Sequence, residues 1–226
     1  MPFRKTTMPL SKPRAVFFDL DGTLADTAPD LAAAVNKLRV ARGLDPAPYD
    51  ALRSVASAGA RGLIGAAFGL QPGAAGYQEL AAEFLDNYAA AMAIHTTLFD
   101  GIDALLRGLR ERDVLWGIVT NKAARFTDAL VPQIGLQLAA CVVSGDTTPH
   151  SKPHPAPLLE AARRVGLTPQ ECWYVGDDLR DIEAGKSAGM PTIAAAWGYC
   201  GHVEPVSWDA DALAATPQDV LKLMPT

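Results

Sequence analysis

The patterned part of the chain begins with a short apolar run, Ala15-Val16-Phe17-Phe18, that stops at Asp19-Leu20-Asp21-Gly22-Thr23. A branched and aromatic run bounded by turn formers predicts a buried strand. From Thr27 to about Thr96 the pattern changes, because Ala and Leu dominate and β-branched runs almost vanish. Helices are predicted there over 28–42, 51–56, 61–68 and 76–93, punctuated by Gly43, Gly59 and the glycines of 69–76. After Asp100-Gly101 the two periods alternate. A helix over 102–112 precedes a strand over 114–119, and a helix over 123–134 precedes a weaker strand over 139–143. A helix over 155–165 then leads to a strand over 172–175, and one over 179–188 to a strand over 192–196. Such alternation predicts βαβ units and a parallel sheet. The first strand has the character to join that sheet, although about 70 helical residues separate it from its partners. The economical architecture is a Rossmann-like, doubly wound α/β core with an all-helical segment inserted after its first strand.

Composition narrows the class. At 226 residues, with 49% hydrophobic and 20% charged positions, the chain suits one large soluble domain, or an ordinary core with a smaller companion. A net charge of -5 supplies no basic footprint, so neither nucleic acid nor a membrane surface is expected as a partner. No apolar run approaches the roughly 20 residues that span a bilayer. The basic stretch 1–14 lacks a hydrophobic core and is expected to be a disordered lead-in, not a secretory signal. Cys141, Cys172 and Cys200 are widely spaced with no CxxC pair, which predicts buried free thiols and a cytoplasmic location.

The chemistry concentrates where strands end. Two carboxylates two residues apart, Asp19 and Asp21, repel one another unless a cation or a shared proton offsets the cost. In open parallel sheets ligands bind just outside the carboxyl ends of strands. Three more strand-like runs end in polar groups: Thr120-Asn121, the later Ser151-Lys152-Pro153, and Gly176-Asp177-Asp178 with Asp181 following. In a parallel sheet all four tips converge on one crevice. Each alone has a plainer reading: Thr120-Asn121 as a polar strand end, Lys152 as a solvated loop lysine, and Asp178 as a helix N-cap. A calcium loop is disfavoured, since its glycine belongs at position six and here falls at position four.

Together the four segments resemble the motifs of the haloacid dehalogenase-like (HAD) hydrolase superfamily, in particular its DxDGT phosphatases with a helical cap after the first motif. The resemblance runs from about Arg14 to the C-terminus. It implies a HAD core over 1–26 and 97–226, an inserted cap over 27–96, and a phosphomonoesterase that works through an aspartyl-phosphate with Mg²⁺ as cofactor. It further implies that Asp19 is the nucleophile and Asp21 the general acid and base. Asp19, the Asp21 carbonyl and Asp177 would hold the metal, with Asp181 close behind. Lys152 would neutralise the phosphoryl group, and Thr120 with the Asn121 amide would bind its oxygens.

Relatives with other chemistries are weighed by residue. Asp21 argues against dehalogenases, which lack it. Lys37, the lysine of the insert, reads as a solvated helix face and not as a Schiff-base former. No GxxxxGK[ST] loop supports a kinase. A sugar-phosphate mutase shares Asp21 and stays open, as does a non-catalytic binding protein on this fold. Substrate choice is expected in the cap, where Ser57-Ala58-Gly59-Ala60-Arg61-Gly62 enters a helix and Arg61 is the candidate for a substrate anion. The layout is similar to that of phosphoglycolate phosphatases. The stretches 26–30, 115–122 and 176–182 resemble N-acetylmuramic acid 6-phosphate phosphatases. Both groups act on carboxylate-bearing phosphomonoesters. His95 and His154 read as local hydrogen-bonding residues, and Trp116 and Trp173 as core.

Overall fold

The computed structural model describes residues 10–225. Strand β1 is Ala15–Phe18, followed by the two-residue β2 at Ala25–Asp26. Helices α1 (Ala28–Ala41), α2 (Tyr49–Arg53), α3 (Gly59–Phe68) and α4 (Tyr77–Ala91) come next, with a 3-10 turn at Ala56–Ala58. The chain returns through β3 (Thr97–Leu98), α5 (Ile102–Arg110), β4 (Leu115–Val119), α6 (Ala124–Gln133) and β5 (Val142–Val143). It ends with α7 (Ala156–Arg164), β6 (Cys172–Gly176), α8 (Leu179–Ala188), β7 (Thr192–Ala195), β8 (Ala212–Ala214) and α9 (Pro217–Lys222).

Six strands form one parallel sheet in the order β5-β4-β1-β6-β7-β8. β1 is central, and its alternate side chains face opposite layers, as a strand of period two requires. Val16 and Phe18 pack with Ile102, Leu105 and Leu109 of α5 and Val220 of α9. Ala15 and Phe17 pack with Leu158 and Ala161 of α7 and Ala184 of α8. Both faces of β1 are therefore covered, which explains why it reads as a continuous apolar run. Trp116 and Trp173 belong to the first of these layers.

The helices α1 to α4 share a separate apolar cluster built on Val35, Leu38, Leu63, Ile64 and Phe84. Phe126 of α6 and Tyr199 beyond β7 also enter that cluster, so the insert is sealed onto the sheet by residues from the other side of the crevice. The two connections run side by side, with Ala25 opposite Leu98 and Asp26 opposite Thr97 in an antiparallel pair.

Several sequence expectations shift. The weak strand shortens to Val142–Val143 at the sheet edge, and β2, β3, β8 and α9 were not anticipated. Of the lead-in expected over 1–14, residues 1–9 lie outside the described residues. Leu10 packs against the core and Arg14 pairs with Glu171 at 2.8 Å, so this end of the segment is held in place. Cys141 and Cys172 are buried and Cys200 half-buried, all as free thiols. No described helix is long and apolar enough to cross a membrane.

Candidate active site

β1, β4 and β6 lie side by side and all end at one edge, so the groups that follow them meet without any unusual local structure. The Asp19 backbone N–H continues the ladder by donating to the Val175 carbonyl at 3.0 Å. Lys152 is buried, and its ammonium lies 2.9 Å from Asp19 Oδ1 and 2.7 Å from Asp181 Oδ1. It also donates to the Val119 carbonyl and the Tyr174 hydroxyl. Asn121 holds the loop that delivers it, giving its side-chain amide to the Lys152 carbonyl and accepting the Lys152 N–H, both at 2.9 Å. The Asn121 side chain is thus committed to positioning Lys152. Thr120 is buried and lines the crevice, and its hydroxyl oxygen accepts the Lys122 N–H at 3.2 Å.

Asp177 is fully buried behind Asp19. It accepts from the Thr23 hydroxyl at 2.7 Å and the Tyr199 N–H at 3.0 Å. Asp181 sits one helical turn on, and its second oxygen accepts the Asp178 N–H while the Asp178 side chain caps α8 through the Arg180 N–H. The reciprocal cap explains why both acids sit at the start of this helix. Asp19, Asp177 and Asp181 each offer a carboxylate oxygen, and these lie within 4.8 Å of one another.

Asp21 stands apart from that trio. Its carboxylate accepts from the Thr27 hydroxyl and pairs with the Lys122 ammonium at 2.8 Å. Lys122, which sequence reasoning did not single out, also lies 4.7 Å from the centre of the Tyr88 ring. Burial works against its charge, but Asp21 beside it holds the ammonium above its usual pKa. Burial pushes the Asp19 carboxyl up to about 7 against the pull of Lys152. Burial, with Asp19 and Asp181 close by, raises Asp177 well above the usual carboxylate range. Four carboxylates thus surround two ammonium groups, an excess of negative charge that a hard divalent cation with oxygen ligands would neutralise. The donor set fits such an ion.

Other expected residues fall elsewhere. Arg61 lies apart from this crevice: it is exposed, in the first turn of α3, and lines a separate shallow pocket with Ser54, Gln71 and His202. The neighbouring Ser57 to Ala60 do line the crevice. Lys37 is exposed on α1. The His95 N–H donates to Asp30, and His154 Nδ1 accepts the Ala156 N–H. Tyr199 was missed altogether. Its hydroxyl accepts the N–H groups of Thr27 and Ala28 and donates to Asp26, tying the start of α1 to the loop that touches Asp177. No local pattern marks it, since its partners lie more than 20 residues away.

The model of haloacid dehalogenase-like hydrolases matches residues 16–195. The chain is 46% identical to a phosphoglycolate phosphatase of Xanthomonas campestris pv. campestris, over 91% of this chain and 93% of the relative. It is 41% identical to an N-acetylmuramic acid 6-phosphate phosphatase of Pseudomonas putida, over 93% and 96%. Among solved structures, a predicted phosphoglycolate phosphatase from Haemophilus somnus superposes with a TM-score of 0.83 at 25% identity, covering 93% of this chain and 97% of that one.

Proposed function

The chain belongs to the haloacid dehalogenase-like hydrolases, and on that premise we propose that it hydrolyses a small carboxylate-bearing phosphomonoester through a phosphorylated Asp19. The observation that carries this reading is the meeting of Asp19, Asp21 and Asp177, which follow the adjacent parallel strands β1 and β6, with Lys152, whose ammonium lies 2.9 Å from Asp19. Phosphatases among the relatives, on both phosphoglycolate and N-acetylmuramic acid 6-phosphate, support the same class. Residues 1–26 and 97–226 then act as the catalytic core, and 27–96 as the cap.

In this mechanism an Asp19 carboxylate oxygen attacks phosphorus while Asp21 gives a proton to the departing alkoxide. Asp21 next takes a proton from the water that attacks the acyl-phosphate, releasing inorganic phosphate and restoring Asp19. Lys122 and Thr27 hold the Asp21 carboxylate in one place between the two steps. Lys152 neutralises charge beside Asp19, and the Thr120 hydroxyl with the Asn121 backbone N–H receives phosphoryl oxygens. A bound Mg²⁺, held by Asp19, the Asp21 carbonyl and Asp177 with Asp181 near, would supply charge neutralisation for the dianionic ester.

Asp19→Asn keeps the shape of the side chain and removes the nucleophile. Phosphate release should fall by about 10³-fold or more, with the thermal midpoint nearly unchanged. Residual turnover near the wild-type level would refute the nucleophile. Free phosphate, and not an isomerised sugar phosphate, is the expected product. The mutase alternative is decided by the same assay.

A further inference from the structure

The crevice is larger than phosphoryl transfer requires. The whole crevice, with the space beside Asp19 and Asp21 included, measures about 290 Å³, and away from the carboxylates its walls are Leu31, Phe84, Leu85, Tyr88 and Phe126. The Phe84 and Tyr88 rings stack at 6.4 Å, and Tyr88 meets Phe126 edge-on at 5.4 Å. At about 30 Å³ per water, the space equals roughly ten waters. Displacing water from apolar walls is favourable only when the leaving group fills them. A two-carbon acid would leave the aromatic wall wet. A six-membered ring would cover it.

Two polar features mark this wall. The Tyr88 hydroxyl is buried, and the neighbouring Lys122 ammonium interacts with it. Arg125, in the first turn of α6, is exposed at the rim, its guanidinium carbon 4.5 Å from the centre of the Phe126 ring. Among the described residues Arg125 has no ion-pair partner. A guanidinium stacked on an aromatic ring keeps its planar edge of donors free for a carboxylate. The anion-reading role expected of Arg61 falls by geometry to Arg125.

Resting on the phosphomonoesterase reading above, we infer that the leaving group is a ring-sized sugar alcohol with a carboxylate arm, its ring covered by Tyr88 and Phe126 and its arm read by Arg125. Arg125 is then a specificity-determining residue of this chain, and a two-carbon phosphate acid is a poor substrate.

The test compares kcat/KM for three esters: N-acetylmuramic acid 6-phosphate, N-acetylglucosamine 6-phosphate, which is the same ring without the carboxylate arm, and 2-phosphoglycolate. The first should exceed the second by about tenfold, and 2-phosphoglycolate by more. In Arg125→Ala the ratio of the first to the second should collapse about tenfold, mainly through KM, and Arg125→Lys should restore part of it. A preference for 2-phosphoglycolate, or an unchanged ratio in Arg125→Ala, overturns the inference. Hydrolysis of p-nitrophenyl phosphate, lost in Asp19→Asn, reports the phosphatase reading separately. Its absence from the wild-type protein would overturn both readings, whereas its presence with an unchanged ratio overturns the inference alone.

Discussion

Asp177 shows how little freedom a single side chain keeps in this site. Thr23 and the Tyr199 N–H hold its two oxygens, while two glycines, Gly22 and Gly198, approach it closely. A Cβ built on Gly198 would come within 2.2 Å of Asp177 Cβ and 2.3 Å of the Gly22 carbonyl. Gly22 has φ +91, and a Cβ there would meet Asp177 Oδ2 at 2.2 Å, so both close approaches need glycine. Gly198→Ala should therefore displace Asp177 and weaken divalent-cation affinity by about 10 to 100-fold. Titrating activity with Mg²⁺ measures this, and an unchanged half-saturating concentration would contradict it. At this scale the sequence was most readable where chemistry is local. Asp19 with Asp21, and Asp177 with Asp181, sit within a few residues of one another and next to a strand end. Lys122 carried a usable signal, adjacency to Thr120-Asn121. Tyr88, Arg125 and Tyr199 carried none, because their partners come from other elements.

At the scale of elements, the connection between sheet and insert depends on a pair of two-residue strands and one buried acid. Asp30, in the first turn of α1, accepts the N–H groups of His95 and Thr96 and the Thr96 hydroxyl. It thereby clamps the start of the insert to its return. Hydrogen bonds to a charged group contribute about 1.5–3 kcal/mol each, and Asp30→Ala also strands two backbone donors. Removing the buried charge offsets part of the loss, so the net cost should be about 3 kcal/mol, with a thermal midpoint lower by roughly 6–12 °C. A calorimetric scan checks this, and a fall below about 2 °C would show that the clamp contributes little. The long helices and the strands β4, β6 and β7 were legible because each repeats its period over several residues. β2 and β3 are too short to show any period, and their pairing joins residues about 70 apart. α9 did carry a signal, the capping box of Thr216 and Asp219 around Pro217.

For the whole molecule the dominant fact is an acidic centre under an apolar lid. Burial pushes Asp19 up to about 7 and Asp177 well above the usual carboxylate range, so the metal-free folded chain binds more protons than the unfolded chain above about pH 4. These groups stabilise the fold below the ordinary carboxylate pKa, and that contribution is lost as pH rises toward 7. A divalent cation competes with those protons, so it should stabilise most where they have left. Mg²⁺ at about 100 times its dissociation constant would contribute about 2.7 kcal/mol, or roughly 5–10 °C in midpoint. The gain should be larger at pH 7.5 than at pH 5.5, read by thermal scans with Mg²⁺ and with chelator. Equal gains at both values would remove the proton–metal competition. Sequence alone determined the layered architecture, the helical insert and the acidic residues at the strand ends, because strand period, helix composition and turn chemistry are properties of neighbouring residues. Tertiary structure decided which cations reach Asp19 and Asp21, that Arg61 lies apart from the crevice while Arg125 stands at its rim, and how large that crevice is. Those depend on how Phe126 and Tyr199 dock the insert onto the sheet, a contact between segments that no local pattern encodes.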